Sequence, residues 1–200
     1  MRINYRKFHI LLLILAITSK YLKSQTPINI SILNEGTAIP FTRFITKPIH
    51  PGMQVGTEVK LKERKKFRLY QSFTVGYIFH SRLFHGLYVN TAIGYDYKFN
   101  FGLNFKTQLG LGYMHTWSPG PEFRFRDGAY TRKRDKGNSR FTAGLGAGLG
   151  YRVRKKDLYS PEIFYMYRGW VEYPYSPGFI PAMTHISQEA GAKFYIHKKP

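Results

Sequence analysis

The stretch Phe101-Gly102-Leu103-Asn104-Phe105-Lys106-Thr107-Gln108-Leu109-Gly110-Leu111-Gly112-Tyr113-Met114-His115 alternates almost without interruption. Phe101, Leu103, Phe105, Leu109, Leu111 and Tyr113 fall on one side, and Gly102, Asn104, Lys106, Gln108, Gly110 and Gly112 on the other. A period of two is a strand signature, and no helical period fits the run. Strands of soluble sheets usually end after about 5–6 residues. A strand that crosses a bilayer at a tilt needs about 9–11, with apolar side chains toward lipid and small or polar ones toward a lumen. The stretch therefore predicts a transmembrane strand, and an all-β fold if the rest of the chain repeats it.

It does repeat. Met53 to Lys62, Phe67 to Phe79, Leu87 to Tyr97, Phe141 to Val153, Leu158 to Val171 and Thr184 to Ile196 show the same alternation, less regularly in the aromatic 158–171 run. Thr37 to Thr46, with Ile39, Phe41 and Ile45 on one face, is expected as the first strand, although Pro40 fits only near an edge or start. Lys47-Pro48-Ile49-His50-Pro51-Gly52 reads as a turn or loop. Short charged turns at 63–66, 98–100 and 154–157 alternate with longer loops near 48–52, 81–86, 117–139 and 172–182. Short turns on one rim and long loops on the other describe an antiparallel up-and-down barrel of about eight strands in the outer membrane.

Composition agrees. Aromatic residues make up 17% of the 200, with sixteen Tyr and sixteen Phe, an excess that suits rings at headgroup level. Cysteine is absent, which excludes disulfides, thiolate metal sites and a lipid-modified cysteine anchor. The formal net charge of +20 first suggests nucleic acid, but the basic residues gather at strand ends and loops. Phosphates of outer-membrane lipid and lipopolysaccharide are the expected anionic partner instead, with Arg132, Lys133 and Arg134 in the longest loop as the contact. Residues 1–25 have the basic start and short apolar run of a signal peptide, 26–35 show no clear period and are expected as a periplasmic lead-in, and 36–200 as the barrel.

The non-lipid face collects Glu58, Lys60, Arg68, Asp96, Lys106, Glu162, Arg168, Glu189 and Lys193. An eight-stranded barrel is just filled by side chains, so these charges are expected to pair as a packed network rather than line a pore. Gly144, Gly146, Gly148 and Gly150 are expected to leave room for long side chains arriving from across the lumen. The histidines show no metal-ligand spacing; a site from His80, His85 and His115 at loop ends is conceivable, but neither metal nor cofactor is expected.

His185, Ser187 and Glu189 place a base, a hydroxyl and a carboxylate on one strand face. His185 and Ser187 resemble the His-x-Ser site of lipid A 3-O-deacylases, which implies an esterase at the outer end of a late strand. That family's acidic residue lies farther from the pair, and these side chains face the lumen rather than an acyl chain. More broadly, Pro48-Ile49-His50-Pro51-Gly52, Val75-Gly76-Tyr77-Ile78-Phe79-His80, His85-Gly86, Gly94-Tyr95-Asp96-Tyr97-Lys98-Phe99 and Leu109-Gly110-Leu111-Gly112-Tyr113-Met114-His115 resemble the small, uncharacterised outer-membrane β-barrel proteins of the Bacteroidetes. The resemblance covers the chain from about residue 36 and implies fold and location, not an activity. The expectation is a monomeric, non-enzymatic barrel with a structural or surface-binding role. The alternatives are the esterase, a narrow pore, or a soluble lipocalin-like barrel with the Phe101 face turned inward.

Overall fold

A computed structural model describes residues 26–196 except 41, 43, 156, 158 and 177. The signal peptide expected at 1–25 lies outside the described residues. Ten strands follow one another: β1 (Pro27–Thr37), β2 (His50–Glu63), β3 (Phe67–His80), β4 (Phe84–Lys98), β5 (Leu103–Trp117), β6 (Glu122–Arg126), β7 (Ala129–Lys133), β8 (Asn138–Arg152), β9 (Glu162–Tyr173) and β10 (Met183–Tyr195). Eight of them close into one barrel in the order β1-β10-β9-β8-β5-β4-β3-β2, and β6 and β7 form a separate two-stranded sheet. The seam is antiparallel, running from Pro27↔Tyr195 to Thr37↔His185.

The start of β1 and the end of β10 lie on one rim, where the connections 64–66, 99–102 and 153–161 are found. The opposite rim carries 38–49, 81–83, 118–137 and 174–182. Its longer loops make it the extracellular side. Two connections depart from the expected pattern: the outer 81–83 turn has only three residues, and on the inner rim the turn expected at 154–157 runs over 153–161, because β9 starts at Glu162 rather than at 158.

The first strand lies ten residues earlier than its sequence reading. Residues 27–37 are barrel wall, not a periplasmic lead-in, and 38–49 form a loop. Ile28, Ile30 and Ile32 point outward and Asn29, Ser31, Leu33 and Glu35 inward, so the alternation holds through the adjacent apolar pair Ile32-Leu33 that hides it. The 38–49 loop folds back on the barrel: Phe44 packs on Tyr167 at 5.7 Å between ring centroids, the Gln188 side chain donates to the Phe44 carbonyl, and Thr46 is buried beside Asn34. Strand β2 starts at His50, inside the segment read as a turn.

Outward residues form an aliphatic belt. Val55, Val75, Val89, Ile93, Leu109, Leu111, Leu145 and Leu149 are all exposed, Leu109 to 68%. Tyr77, Phe79, Tyr113, Phe141 and Tyr173 ring it near the outer rim, and Tyr95, Phe101 and Tyr151 near the inner one. A continuous apolar surface of this extent is untenable in water but matches hydrocarbon flanked by two headgroup layers. Closure leaves no unpaired strand edge, which the bilayer also requires. The Phe101-type face is thus turned outward, opposite to a lipocalin-like barrel.

Candidate functional site

Side chains fill most of the lumen, leaving a central cavity of about 70 Å³. Toward the inner rim, Glu58, Asp96 and Glu162 face Arg68, Lys106 and Lys193, six buried charges in balance. Lys106 Nζ lies 3.1 Å from Asp96 Oδ2 and 2.6 Å from Glu162 Oε1. Lys193 Nζ lies 3.1 Å from Glu58 Oε2 and also approaches Glu162 at 3.7 Å and Asp96 at 3.8 Å. Arg68 Nη2 closes the set 2.8 Å from Glu58. Asn29 donates to Glu58, Asn104 to Glu162, and Arg68 to the Tyr195 hydroxyl. The Tyr70 ring lies alongside, with Arg68, Lys193 and Lys106 at 5.1, 5.6 and 6.0 Å from its centroid.

A hydrogen-bonded chain crosses the middle of the barrel. Tyr88 donates to Gln54 (2.6 Å), Gln54 to Glu189 (2.9 Å), and Arg168 Nε sits 3.0 Å from Glu189. Arg168 also donates to Gln108 (2.7 Å), which donates to Tyr70 (2.9 Å). Beside this chain is a cavity of about 70 Å³ lined by Tyr88, Asn90, Met114, Trp170, Ser187 and Glu189 among others, room for a few waters.

A third cluster closes the outer mouth. His185, fully buried, contacts Glu35 Oε1 at 2.6 Å through Nδ1 and Glu172 Oε1 at 3.1 Å through Nε2. Its ring stacks on Trp170 (4.2 Å), and Arg140 donates to Glu172 at 2.5 Å. On the other side of Glu35, His50 stacks on His80 with 3.5 Å between centroids. Glu35, His50 and His80 each offer a donor atom within 4.8 Å of the other two.

Of the nine charges expected in the lumen, eight are inside; Lys60 is the exception. It is still in register opposite Tyr70, just before the shift between Lys60 and Lys62, but its side chain is exposed and lies 3.3 Å from Glu63. The residues read as a catalytic group share the lumen face but not a reaction geometry. Both His185 nitrogens are engaged by carboxylates, and Glu189 is held by Arg168 and Gln54. The β8 glycines do make room, though mainly for the adjacent strand rather than for side chains from across the lumen. A Cβ on Gly144 would meet Trp170, on Gly146 Arg168, and on Gly150 Glu162. The histidines His80, His85 and His115 do not meet: His80 turns inward, whereas His85 and His115 pack against Trp117 outside, at 5.6 and 4.6 Å. Glu35, His50, Arg140 and Glu172 are absent from the sequence-based set. Glu35 and His50 lie in segments read as lead-in and turn; Arg140 has the inward parity of the glycine stripe.

Outside the barrel, the long 118–137 connection is not irregular throughout. It holds the β6–β7 hairpin, paired from Glu122↔Lys133 to Arg126↔Ala129. The tip is Asp127-Gly128, with φ of 53° and 80°, the two positive values that a type I′ turn requires. Phe123, Phe125, Tyr130 and Arg132 fall on one face, and the three aromatic rings are exposed. Arg132, Lys133 and Arg134 run along β7 and just past it. Arg132 and Arg134 border an open concavity of about 600 Å³ with Ser118, the Pro119-Gly120-Pro121 segment and Asp135.

No protein-family model matches the sequence, and no curated protein resembles it closely enough to be matched. Solved structures do match. Neisserial surface protein A (NspA) aligns with a TM-score of 0.56 at 10% identity, over 86% of this chain and 98% of that one. The outer membrane enzyme PagL aligns at 0.47 and 12% identity, over 85% and 99%. Ail, the attachment invasion locus protein of Yersinia pestis, aligns at 0.46 and 15%, over 84% and 97%. At such identities the likeness concerns the fold. An apolar girdle that only hydrocarbon satisfies, a wall closed on itself and this architecture together make the chain an outer-membrane protein of the Gram-negative eight-stranded β-barrel type.

Proposed function

We infer that this protein is a monomeric, non-enzymatic barrel that works at its outer surface, where the β6–β7 hairpin holds phosphate groups of lipopolysaccharide. One contrast carries the reading: the lumen charges are consumed by one another, whereas Arg132 and Arg134 are exposed and border a single open concavity. Guanidinium groups suit this role because their planar donor sets match phosphate bidentately. The aromatic face formed by Phe123, Phe125 and Tyr130 supplies apolar contact beside the charge. The sequence motifs from Pro48-Ile49-His50-Pro51-Gly52 to His115 support grouping the chain with small Bacteroidetes barrels.

Binding of the refolded protein to lipopolysaccharide micelles tests the reading. Arg132→Glu/Arg134→Glu is expected to weaken binding at least tenfold and to flatten its salt dependence, because two phosphate contacts become repulsive. Equal binding by wild type and variant, or equal binding to dephosphorylated lipopolysaccharide, would overturn it.

The esterase reading makes a separate claim. With His185 tied to two carboxylates, it lacks the free nitrogen that a general base for Ser187 requires. Lipid A from cells expressing the wild type is expected to have the same mass as lipid A from cells expressing Ser187→Ala. An acyl chain missing from the first and present in the second would establish the enzyme instead.

A further inference from the structure

We propose that Glu35, His50 and His80 form a binding site for a borderline divalent cation of the Zn²⁺ class, tying β1, β2 and β3 together at the extracellular mouth. The donor set is two imidazoles and a carboxylate, which suits zinc and its first-row neighbours and not the all-oxygen preference of calcium or magnesium. One donor atom from each residue already lies within 4.8 Å of the others. Bonds of about 2.0–2.2 Å need the donors somewhat closer than this, a contraction within the reach of side-chain rotation.

Two further observations point the same way. Glu35 is fully buried, and its Oε2 accepts no hydrogen bond among the described residues, while its Oε1 is held by His185. A buried carboxylate oxygen left unpaired is costly, and a cation would relieve it. His50 Nδ1 stands 3.0 Å from the backbone carbonyl of Glu35 and 4.0 Å from Glu35 Oε2, so the ring is already seated against the carboxylate; a proton on Nδ1, given to the carbonyl, leaves Nε2 its lone pair. A ring fixed by an Nδ1–H bond to a carbonyl, with Nε2 open, is the arrangement found behind ligating histidines.

His80 makes the site responsive. Its Nδ1 accepts from the backbone amides of Arg82 (3.4 Å) and Leu83 (3.2 Å), both long for such bonds. A metal on Nδ1 takes the lone pair those amides use; a metal on Nε2 moves the proton to Nδ1 and repels them. Either way the amides of the Ser81–Leu83 turn must be released. The turn is exposed, so water can take them. Cation binding is thereby coupled to the shape of an extracellular turn, and the same turn gives the ion a route from outside.

The test uses the full chain refolded in detergent micelles and Zn²⁺ itself. Competition with a chromogenic chelator is expected to give one equivalent per chain, with affinity lowered at least tenfold in His50→Gln and in His80→Gln. The exposed pair His85→Gln/His115→Gln should bind as wild type. Should the lumen variants fail to fold, the wild type alone decides: Zn²⁺ is expected to shift the Leu83 amide resonance and speed its hydrogen exchange, and Co²⁺ to give the visible absorption of a low-coordinate nitrogen–oxygen site. No stoichiometric binding, binding lost with His85 and His115 instead, or a Leu83 amide indifferent to Zn²⁺ would overturn the proposal.

Discussion

Lys106→Met is expected to lower stability by about 3–5 kcal/mol, the cost typical of removing one partner from a buried ion pair. Methionine keeps most of the side-chain volume, so the loss reads out charge rather than a cavity. Lys106 is within salt-bridge distance of both Asp96 and Glu162; once it is gone, Lys193, at 3.8 and 3.7 Å from them, is the one cation among the described residues left within that distance, beside the Asn104 amide on Glu162. Lys193 is already committed to Glu58 at 3.1 Å. Asp96 Oδ1 has no hydrogen-bond partner among the described residues, so the site has no spare donor to offer. Urea titration of the micelle-bound protein, followed by the loss of its heat-modifiable gel mobility, measures the effect. The decisive comparison is Lys106→Met/Glu162→Gln, which restores the balance of two carboxylates against two cations. If charge is the cause, the double variant regains a large part of the loss and the cycle shows strong coupling. A double variant less stable than Lys106→Met alone would mean that Lys106 matters for packing.

That network shows what the sequence discloses and what it withholds. Parity alone sorts inward from outward side chains, so Glu58, Asp96, Lys106, Glu162 and Lys193 could be assigned to the lumen from the alternation of their strands. Their partners could not, because pairing across a barrel depends on strand tilt and stagger, which bring Glu58 and Lys193 together from 135 positions apart. Strand β1 was obscured by one local event, the adjacent apolar pair Ile32-Leu33, of which Ile32 faces lipid and Leu33 the lumen. In its place Ile39 and Ile45 mimicked a strand face, although the loop that holds them contains Pro40 and Pro48. Misplacing β1 also concealed the outer cluster, since Glu35 is its centre. The β6–β7 hairpin had a clear local signal, Asp127-Gly128, that was overshadowed by the prolines at 119 and 121.

Gly94→Ala gives the sharpest test of how tightly the lumen is packed, because two effects predict opposite signs. Replacing a glycine in a strand by alanine normally stabilises by about 0.5–1 kcal/mol, through the lower entropy of the unfolded chain. Here the added methyl would land within the ring of Tyr70, the residue directly paired with Gly94 across β3 and β4. Tyr70 is completely buried, its hydroxyl accepts from Gln108, and three cations surround its ring. The ring cannot yield without breaking the Gln108 link that also holds Arg168. Overpacking is therefore expected to win, with a net destabilisation of about 1–3 kcal/mol. Gly76→Ala provides the contrast. It meets Tyr88 in the same cross-strand arrangement, and Tyr88 is likewise held, donating to Gln54 at 2.6 Å, but Tyr88 borders the central cavity of about 70 Å³, into which its ring can shift. Its cost should be clearly smaller. In a Tyr70→Leu background the Gly94→Ala penalty should largely disappear, as the smaller side chain leaves space for the methyl. If Gly94→Ala instead stabilises the barrel, or costs the same in both backgrounds, Tyr70 is not the wall that Gly94 is shaped to meet.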